Sequence, residues 1–441
     1  MALPEIITEI PGARSRELAA KLRRYESRNV TYLADDWPIF WDRAQGTNVW
    51  DVDGNRFLDL TSAFGVAGLG HTNERVRGAI HEQSARLMHG MGDVHPTAPK
   101  AELCARLSEL TFERWGAGPG KVILGNSGFE AVEAALKTSI MRSGKPGVIA
   151  FTGSYHGLGF GALTVTQLPF FREPFRASLK EFASFVPFPH EGGPKELLEN
   201  LEDEIEAIVR QREIGCILVE PVQGRGGCVV PPREFLPMLR TICDSHVILL
   251  ILDEIYTGFN RTGALFATEH SGVVPDVICL GKAMTGGFPM SACVGREDVM
   301  DAWPPSTGEA LHTSTFLGNP LGCSMALASL EQHARAEVAQ LARERGERFR
   351  QALLAIDSPW IENVRGLGLM LGVVLVDDTH RPATELAITL VKAALRDGLI
   401  FLADSPDSNV LSFSPPFAIT DEEMDFVVTW LARELSRSAR S

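Results

Sequence analysis

The segment Val247-Ile-Leu-Leu-Ile-Leu-Asp-Glu254 decides the fold class of this 441-residue chain. Its consecutive apolar residues are typical of a strand that is covered on both faces of a parallel sheet. Similar short strand-like runs recur between helical stretches, at residues 121–124, 148–151, 216–219, 277–280 and 292–294. Strands that alternate with helices in this way predict an α/β fold with a large, mainly parallel sheet.

The two ends of the chain predict a second, smaller α+β domain. The segment 51–55, Asp-Val-Asp-Gly-Asn, lies between two short strand-like runs and predicts a hairpin turn. Towards the C-terminus the sequence predicts a helix over 331–354, a strand over 366–376, a helix over 384–397 and a helix from residue 421. We therefore expect residues 1–70 and 326–441 to form the small domain and residues 71–325 to form the large, ligand-binding one.

Composition and charge narrow the classes of function. Because the formal net charge is −14, the chain is a poor partner for nucleic acid. Seven cysteines without a Cys-x-x-Cys pair indicate reduced thiols and a cytoplasmic protein. The first ten residues contain Glu5 and Glu9 and lack the basic and apolar regions of a signal peptide. The apolar runs are too short to span a membrane, so we also expect no membrane partner.

A candidate phosphate site follows the run at 121–124. The segment 125–130, Gly-Asn-Ser-Gly-Phe-Glu, precedes a helix-forming run, and Ser127 and Glu130 have the spacing of a capping box. This spacing alone predicts no more than a well-capped helix. A glycine in the first turn also leaves backbone N–H groups accessible to an anion, and a helix N-terminus at the carboxyl end of a strand attracts phosphate.

Asp253 is a second candidate, because the apolar strand delivers its carboxylate to a buried position. A buried carboxylate needs a cation, a metal or strong hydrogen-bond donors. It could form a structural ion pair, or hold magnesium in a nucleotide hydrolase. Such a hydrolase requires a G-x-x-x-x-G-K-[ST] loop, which the sequence lacks, so we expect no metal.

Lys282 is the third candidate. Most lysines are solvated surface charges, but Lys282 lies between the apolar run 277–280 and a glycine-rich turn at 285–288. Partial desolvation there favours the neutral, nucleophilic amine that Schiff-base chemistry needs. An anion site, a buried carboxylate and a reactive lysine together meet the requirements of pyridoxal phosphate, which needs an anchor for its phosphate, a counter-charge for its ring nitrogen and an amine for its aldehyde.

At these residues the sequence resembles the class III (ω-type) aminotransferases, which are fold-type I pyridoxal-phosphate enzymes. The likeness extends over nearly the whole chain and keeps the order of the matching segments, which are Trp50-Asp-Val-Asp-Gly-Asn, Gly70-His71, Asn126-Ser-Gly-Phe-Glu-Ala, Tyr155-His-Gly, Glu220-Pro-Val-Gln223, Asp253-Glu254, Thr257-Gly, Arg261-Thr-Gly, Gly281-Lys282, Thr315-Phe-Leu-Gly-Asn-Pro and Arg365-Gly-Leu-Gly-Leu-Met. The resemblance implies a fold-type I architecture and a transaminase that uses pyridoxal 5'-phosphate.

The resemblance also implies roles for single residues. Lys282 would form the Schiff base and move the substrate proton, while Asp253 would pair with the ring nitrogen. Tyr155 would stack on the ring, and Gln223 would bond the phenolic oxygen. Thr315 would reach the phosphate from a second subunit, which implies a homodimer with shared active sites. The complete set of cofactor-binding residues implied is Ser127, Gly128, Phe129, Tyr155, Glu220, Gln223, Asp253, Lys282 and Thr315.

Two departures from the family bear on the substrate. Relatives that act on 4-aminobutyrate have an arginine where this chain has Leu158, and many have a C-terminal arginine where it has Ser412. Neither residue can replace a bidentate arginine. We therefore expect a less charged amine as donor and an oxo acid as acceptor. Arg225 or Arg261 could supply the missing charge, which leaves a 4-aminobutyrate- or ornithine-type aminotransferase as an alternative. Arg225 lies in a glycine-rich loop and is the better candidate, whereas Arg261 lies in a family-like stretch that indicates a structural role.

The same lysine and the same electron-withdrawing ring serve other reactions. An amino-acid racemase or an aminomutase on this scaffold returns the proton to the substrate and needs no second substrate. The sequence does not distinguish these enzymes from a transaminase. A protein without catalytic activity is disfavoured, because the complete catalytic set is present.

Overall fold

A computed structural model describes residues 2–438 of the chain, which form two compact units. One unit comprises Met1–Asn73 and Glu344–Ser441, and the other comprises Glu74–Arg343. The strands, in chain order, are β1 Trp41–Gln45, β2 Asn48–Asp51, β3 Arg56–Asp59, β4 Gly120–Gly125, β5 Gly147–Phe151, β6 Ala183–Val186, β7 Ile214–Val219, β8 Leu249–Asp253, β9 Val277–Leu280, β10 Ser291–Arg296, β11 Ile361–Leu367, β12 Met370–Leu375, β13 Leu399–Ile400, β14 Leu402–Asp404 and β15 Val410–Phe413.

The helices vary in length from one turn to five. In chain order they are α1 Ala13–Tyr25, α2 Ser62–Gly65, α3 Glu74–Ser84, α4 Ala98–Ser108, α5 Gly128–Ser143, α6 Phe160–Val165, α7 Pro169–Arg172, α8 Lys195–Gln211, α9 Phe235–His246, α10 Glu297–Met300, α11 Pro320–His333, α12 Ala336–Leu354, α13 Thr384–Arg396 and α14 Asp421–Ser438. None of the helices within residues 2–438 is long and apolar enough to cross a membrane.

The larger unit contains a seven-stranded sheet in the order β4-β10-β9-β8-β7-β5-β6. All its neighbouring pairs are parallel except those of β10, which is antiparallel to both β4 and β9. Only residues 281–290 connect β9 to β10, and a parallel return needs a longer crossover connection. The predicted α/β class with a mainly parallel sheet is confirmed.

Strand β8 lies in the middle of this sheet and is buried along its whole length. On one face, Ile251 packs in a cluster with Val132 and Ala135 of α5. On the other face, Leu250 packs with Leu239 of α9. The strand begins at Leu249, because Val247 ends α9 with a left-handed backbone conformation and is exposed. Helices on both faces explain why the sequence of β8 is continuously apolar.

The smaller unit contains two four-stranded sheets, β1-β2-β3-β13 and β11-β12-β15-β14. The hairpin predicted around residues 51–55 is present as the antiparallel pair β2–β3. The strand predicted over 366–376 is instead a hairpin of two strands, because the chain turns at Gly368, whose φ is +56°, and Leu367 pairs with Met370. Glycine adopts that left-handed conformation without a steric penalty.

The boundary between the units lies at Arg343–Glu344, whereas we expected it at residues 325–326. Helix α11 carries Ala326 and Leu330 into the same buried core as Leu103 of α4. The predicted helix over 331–354 is interrupted after His333, where α11 ends before α12 begins. Because burial assigns α11 to the larger unit, the change in sequence texture at residue 326 does not mark the boundary.

Candidate active site

One cavity of about 380 Å³ lies at the carboxyl ends of the central strands, where α/β proteins bind their ligands. Glu220 directly follows β7, Asp253 ends β8, and Lys282 follows β9. Six of the predicted cofactor-binding residues line this cavity: Gly128, Phe129, Tyr155, Glu220, Asp253 and Lys282. The other lining residues are His156, Gly157, Leu158, Arg225, Ile255 and Tyr256.

Three predicted residues lie outside this lining. Ser127 directly precedes Gly128 as the N-cap residue of α5. The Gln223 side chain is buried, and its Nε2 donates to the backbone oxygen of Thr152 at 2.8 Å. Thr315 is exposed on a turn between β10 and α11. The cavity of a single chain is therefore built without Gln223 and Thr315.

The N-terminus of α5 forms the end of the cavity that suits an anion. The Glu130 carboxylate accepts the backbone N–H of Ser127 at 3.1 Å, so the loop before the helix is held in place. Glycine suits position 128, because the Cβ atom of any other residue there would lie 3.0 Å from Ile255 Cδ1. The Ser127 hydroxyl is buried and has no hydrogen-bond partner within residues 2–438. These features fit a phosphate, which would accept a hydrogen bond from the hydroxyl and be stabilised by the positive end of the helix dipole.

Asp253 is oriented by a buried histidine that the sequence analysis did not assign. Its Oδ2 lies 2.7 Å from His156 Nδ1, and its Oδ1 accepts the backbone N–H of Ile255 at 3.1 Å. A carboxylate can only accept here, so Nδ1 carries the proton. Both side chains are almost fully buried. His156 stands inside the matching Tyr-His-Gly segment, and that was the available signal.

Glu220 connects two segments of the cavity wall. Its Oε1 accepts the N–H of Tyr155 and its Oε2 accepts the N–H of Gly224, both at 3.0 Å. Burial raises the pKa of Glu220. Burial likewise raises the pKa of the Tyr155 hydroxyl. Glu220 therefore holds the segment after β5 and the segment after β7 together.

Lys282 begins a short 3-10 turn, Lys282–Met284, with a left-handed φ of +46°. This conformation costs a non-glycine residue about 1–2 kcal/mol, and such strain is concentrated at functional sites. The Lys282 Nζ lies 4.1 Å from the centre of the Tyr256 ring, close enough for a cation–π contact. Tyr256 was also missed by the sequence analysis, although it follows Asp253 by three residues.

The residues that concern the substrate belong to both units. Leu158 and Phe129 line the cavity with partly exposed apolar side chains. Ser412 lies on β15 of the smaller unit, where its hydroxyl donates to Asp404 at 2.5 Å. Arg261 is only 2% exposed and does not line the cavity, whereas Arg225 does. Of the two arginines considered as substitutes, Arg225 alone is positioned for a ligand.

A lysine, a carboxylate and a helix N-terminus at the carboxyl ends of adjacent strands are the arrangement of the fold-type I pyridoxal-phosphate transaminases, and the overall fold agrees with that class. The aminotransferase class-III family model matches residues 31–435. The chain therefore belongs to the class III aminotransferases. It is a transaminase that depends on pyridoxal phosphate.

Individual relatives agree with this assignment. The 5-aminovalerate aminotransferase DavT of Pseudomonas aeruginosa is 35% identical over 398 residues, which cover 88% of this chain and 91% of that protein. The acetylornithine aminotransferase of Methanopyrus kandleri is 36% identical over 402 residues, or 91% of this chain and 95% of that protein. The crystal structure of a thermostable (S)-enantioselective ω-transaminase from Thermomicrobium roseum is similar with a TM-score of 0.88 and 29% identity, covering 98% of this chain and 99% of that one.

Proposed function

We propose that this transaminase takes the amino group from a primary amine or ω-amino acid with a largely apolar body and transfers it to an oxo acid. The observation that carries the proposal is the apolar wall that Leu158 and Phe129 form in the cavity that also contains Lys282. Transfer of an apolar substituent from water to such a wall lowers the free energy. Transfer of a carboxylate that finds no charged partner there raises it. A solved relative of similar fold is described as an ω-transaminase, which supports an amine donor.

We assign the cofactor contacts to this chain's residues as follows. The N-terminus of α5, with Ser127, Gly128 and Phe129, holds the phosphate. Asp253 keeps the ring nitrogen protonated, and His156 orients Asp253. When bound, pyridoxal phosphate supplies an aldehyde that exchanges amino groups and a ring that withdraws electrons from the reacting carbon.

The proton transfers belong to Lys282. Its Nζ takes the proton from the reacting substrate carbon and later returns a proton, as a positioned general base and acid. Tyr256 lies beside Nζ and stabilises the ammonium form through its ring face. Tyr155 lines one side of the cavity, and its backbone N–H donates a hydrogen bond to Glu220. Since the Gln223 amide is bonded to Thr152, we assign Gln223 to the support of this wall.

We further propose that the enzyme is a homodimer with shared active sites. Leu87, Met88, Met91, Leu311 and Phe316 are large apolar side chains that are exposed in the single chain. The segments that contain them are adjacent, because the His89 and Phe316 rings lie 5.3 Å apart. Exposed apolar patches of this kind mark interaction sites. Thr315 lies on this surface, and Asn126 donates to neighbouring Ser314 at 3.1 Å, close to the anion end of the cavity.

The proposal also includes a cellular location and a class of partner. Seven free cysteines, six of them buried, support a reducing cytoplasmic location. Small amines and oxo acids, rather than nucleic acid or membrane lipid, are the proposed partners. Sedimentation analysis of the purified protein tests the dimer, and a monomer at micromolar concentration would contradict it.

A screen of amino donors and acceptors tests the proposed reaction. The cofactor absorbance of the enzyme is followed after addition of a neutral arylalkyl amine, and the carbonyl product is identified. We expect the Schiff-base absorbance to be lost with the amine and to recover when an oxo acid is added. Inversion of the amine without consumption of an oxo acid would show a racemase instead. No spectral change with any amine would contradict the proposal.

A further inference from the structure

Leu158, on the wall of the cavity, lies in a segment that packs directly against helix α5. A Cβ atom on Gly157 would overlap the Cβ atom of Phe129, and one on Gly159 would lie 2.6 Å from Phe129 Cδ2. Glycine at both positions lets the backbone on either side of Leu158 lie on the Phe129 side chain. The position of one residue of the apolar wall therefore depends on the other.

Glu133 holds the far end of the same segment. It follows Phe129 by one turn of α5, so both side chains project from one face of that helix. The Glu133 side chain is half-buried, and its Oε1 accepts the backbone N–H of Ala162 at 3.1 Å. A Cβ atom on Gly161 would overlap Glu133 Oε2, so glycine there leaves room for the carboxylate.

The hydrogen bond from Ala162 replaces a helix cap. Ala162 is the third residue of α6, and Gly159 at the N-cap position has no side chain that could accept its N–H. Glu133 accepts this N–H from the neighbouring helix, and its negative charge faces the positive end of α6. Glu133 thus fixes the start of α6, the helix that follows Leu158.

Neither Glu133 nor Ala162 lines the cavity, so Glu133 acts on a ligand only through the segment that it holds. We propose that Glu133 is a positioning residue for the amine donor. It holds the segment 157–162 against Phe129 and so fixes Leu158 in the wall that receives the apolar body of the donor. This inference rests on the proposed transaminase function.

Separate measurement of the two half-reactions tests the inference. The holoenzyme is mixed with benzylamine in one experiment, and its amino form is mixed with pyruvate in the other. The variants are Glu133→Ala, which removes the anchor, and Glu133→Gln, whose amide oxygen can still accept the N–H of Ala162. Glu204→Ala is the matched control, since Glu204 is an exposed glutamate of α8 outside the cavity lining.

We expect Glu133→Ala to weaken saturation by benzylamine about 3- to 30-fold, as for loss of a helix cap, and to change the limiting rate less than about 2-fold. Saturation by pyruvate, which has no large apolar body, should change less than about 2-fold. Glu133→Gln should lie between Glu133→Ala and the unaltered enzyme, and Glu204→Ala should match the unaltered enzyme. Hydrogen exchange in the peptide that contains residues 157–165 should be faster in Glu133→Ala than in Glu204→Ala.

A pair of substitutions tests the contact with Phe129. Gly159 has an ordinary φ of −70 to −60° region, at −62°, so alanine is allowed there and the cost of Gly159→Ala comes from overlap with the Phe129 ring. We expect Gly159→Ala to weaken saturation by benzylamine at least about fivefold in the unaltered enzyme, and less than about twofold when Phe129→Ala is also present.

The outcomes separate this inference from the proposed function. Unchanged benzylamine saturation or unchanged hydrogen exchange in Glu133→Ala would overturn the role of Glu133 while the transaminase function stands. An equal loss in both half-reactions would overturn it too, because it would show general damage to the site. The same effect of Gly159→Ala with and without the Phe129 ring would overturn the contact between them. If the unaltered enzyme performs neither half-reaction with any donor or acceptor, the proposed function itself fails.

Discussion

His156 Nδ1 lies 2.7 Å from Asp253 Oδ2, although the two residues are separated by 97 positions in the chain. His156 lies in the segment after β5, and Asp253 is the last residue of β8. The histidine fixes the orientation of the carboxylate inside a buried site. Orienting partners of this kind typically contribute about 10- to 100-fold to activity. We expect His156→Leu to lower kcat by about that factor. His156→Asn, which can still donate a hydrogen bond to Asp253, should retain more activity, and equal rates in all three enzymes would contradict this role.

Asp253→Asn should lower kcat by about 10²- to 10⁴-fold, because the ring nitrogen loses its counter-charge. The asparagine has nearly the same shape, so the fold and the contact with Ile255 should persist. Steady-state kinetics measure the loss, and circular dichroism checks the fold. Near-normal activity would show that Asp253 has only a structural role.

Lys282→Ala should abolish turnover and leave a folded protein that binds the cofactor without a covalent bond. Strand β9 before it is fully buried and does not depend on the amine. Loss of the left-handed lysine should also leave stability unchanged or slightly lower, since alanine has the same backbone preference. In the unaltered enzyme, borohydride reduction and peptide mapping should place the label on Lys282. A label on another lysine would refute the assignment.

Substrate preference should follow the apolar wall. We expect a higher kcat/KM for a neutral arylalkyl amine than for 4-aminobutyrate, because the carboxylate of 4-aminobutyrate would leave water without the arginine that relatives place at position 158. The variant Leu158→Arg should narrow this difference by supplying that charge. A kcat/KM for 4-aminobutyrate well above that of the amine in the unaltered enzyme would contradict the prediction.

Stability should fall on acidification because of His333. Burial, together with the positive charge of Arg261, lowers the pKa of His333 to about 3 from 6.5. Between these two pH values the unfolded chain binds more protons than the folded one, so the free energy of unfolding rises with pH. The contribution of His333 to stability is therefore lost as pH falls below 6.5. One titrating group contributes at most about 1.4 kcal/mol per pH unit.

The variant His333→Gln should flatten this dependence. A glutamine can accept the hydrogen bond that Asn260 donates to His333 Nδ1 at 3.0 Å, so part of the buried contact is kept. Urea unfolding at pH 5 and pH 7 measures the two slopes. Identical pH dependence in both proteins would show that another group controls the acid response.

The sequence by itself determined the class of the sheet, the family and the positions of the three groups to which we assign the chemistry. The apolar run of β8, the glycine at the start of α5 and the lysine after β9 are local patterns, and local patterns report strand burial and helix ends. They placed Asp253 at the end of β8, Gly128 in the first turn of the helix after β4 and Lys282 just after β9, where the structure has them.

Only the tertiary structure decided which of the other polar residues reach the cavity. The sequence favoured Arg225 over Arg261 only by the segment in which each stands, and the structure shows that Arg225 lines the cavity while Arg261 is buried away from it. Gln223 bonds the backbone of Thr152, while His156 and Tyr256 meet Asp253 and Lys282. These pairings join residues far apart in the chain. The distance between such residues depends on how turns after separate strands pack together, and no local periodicity encodes it.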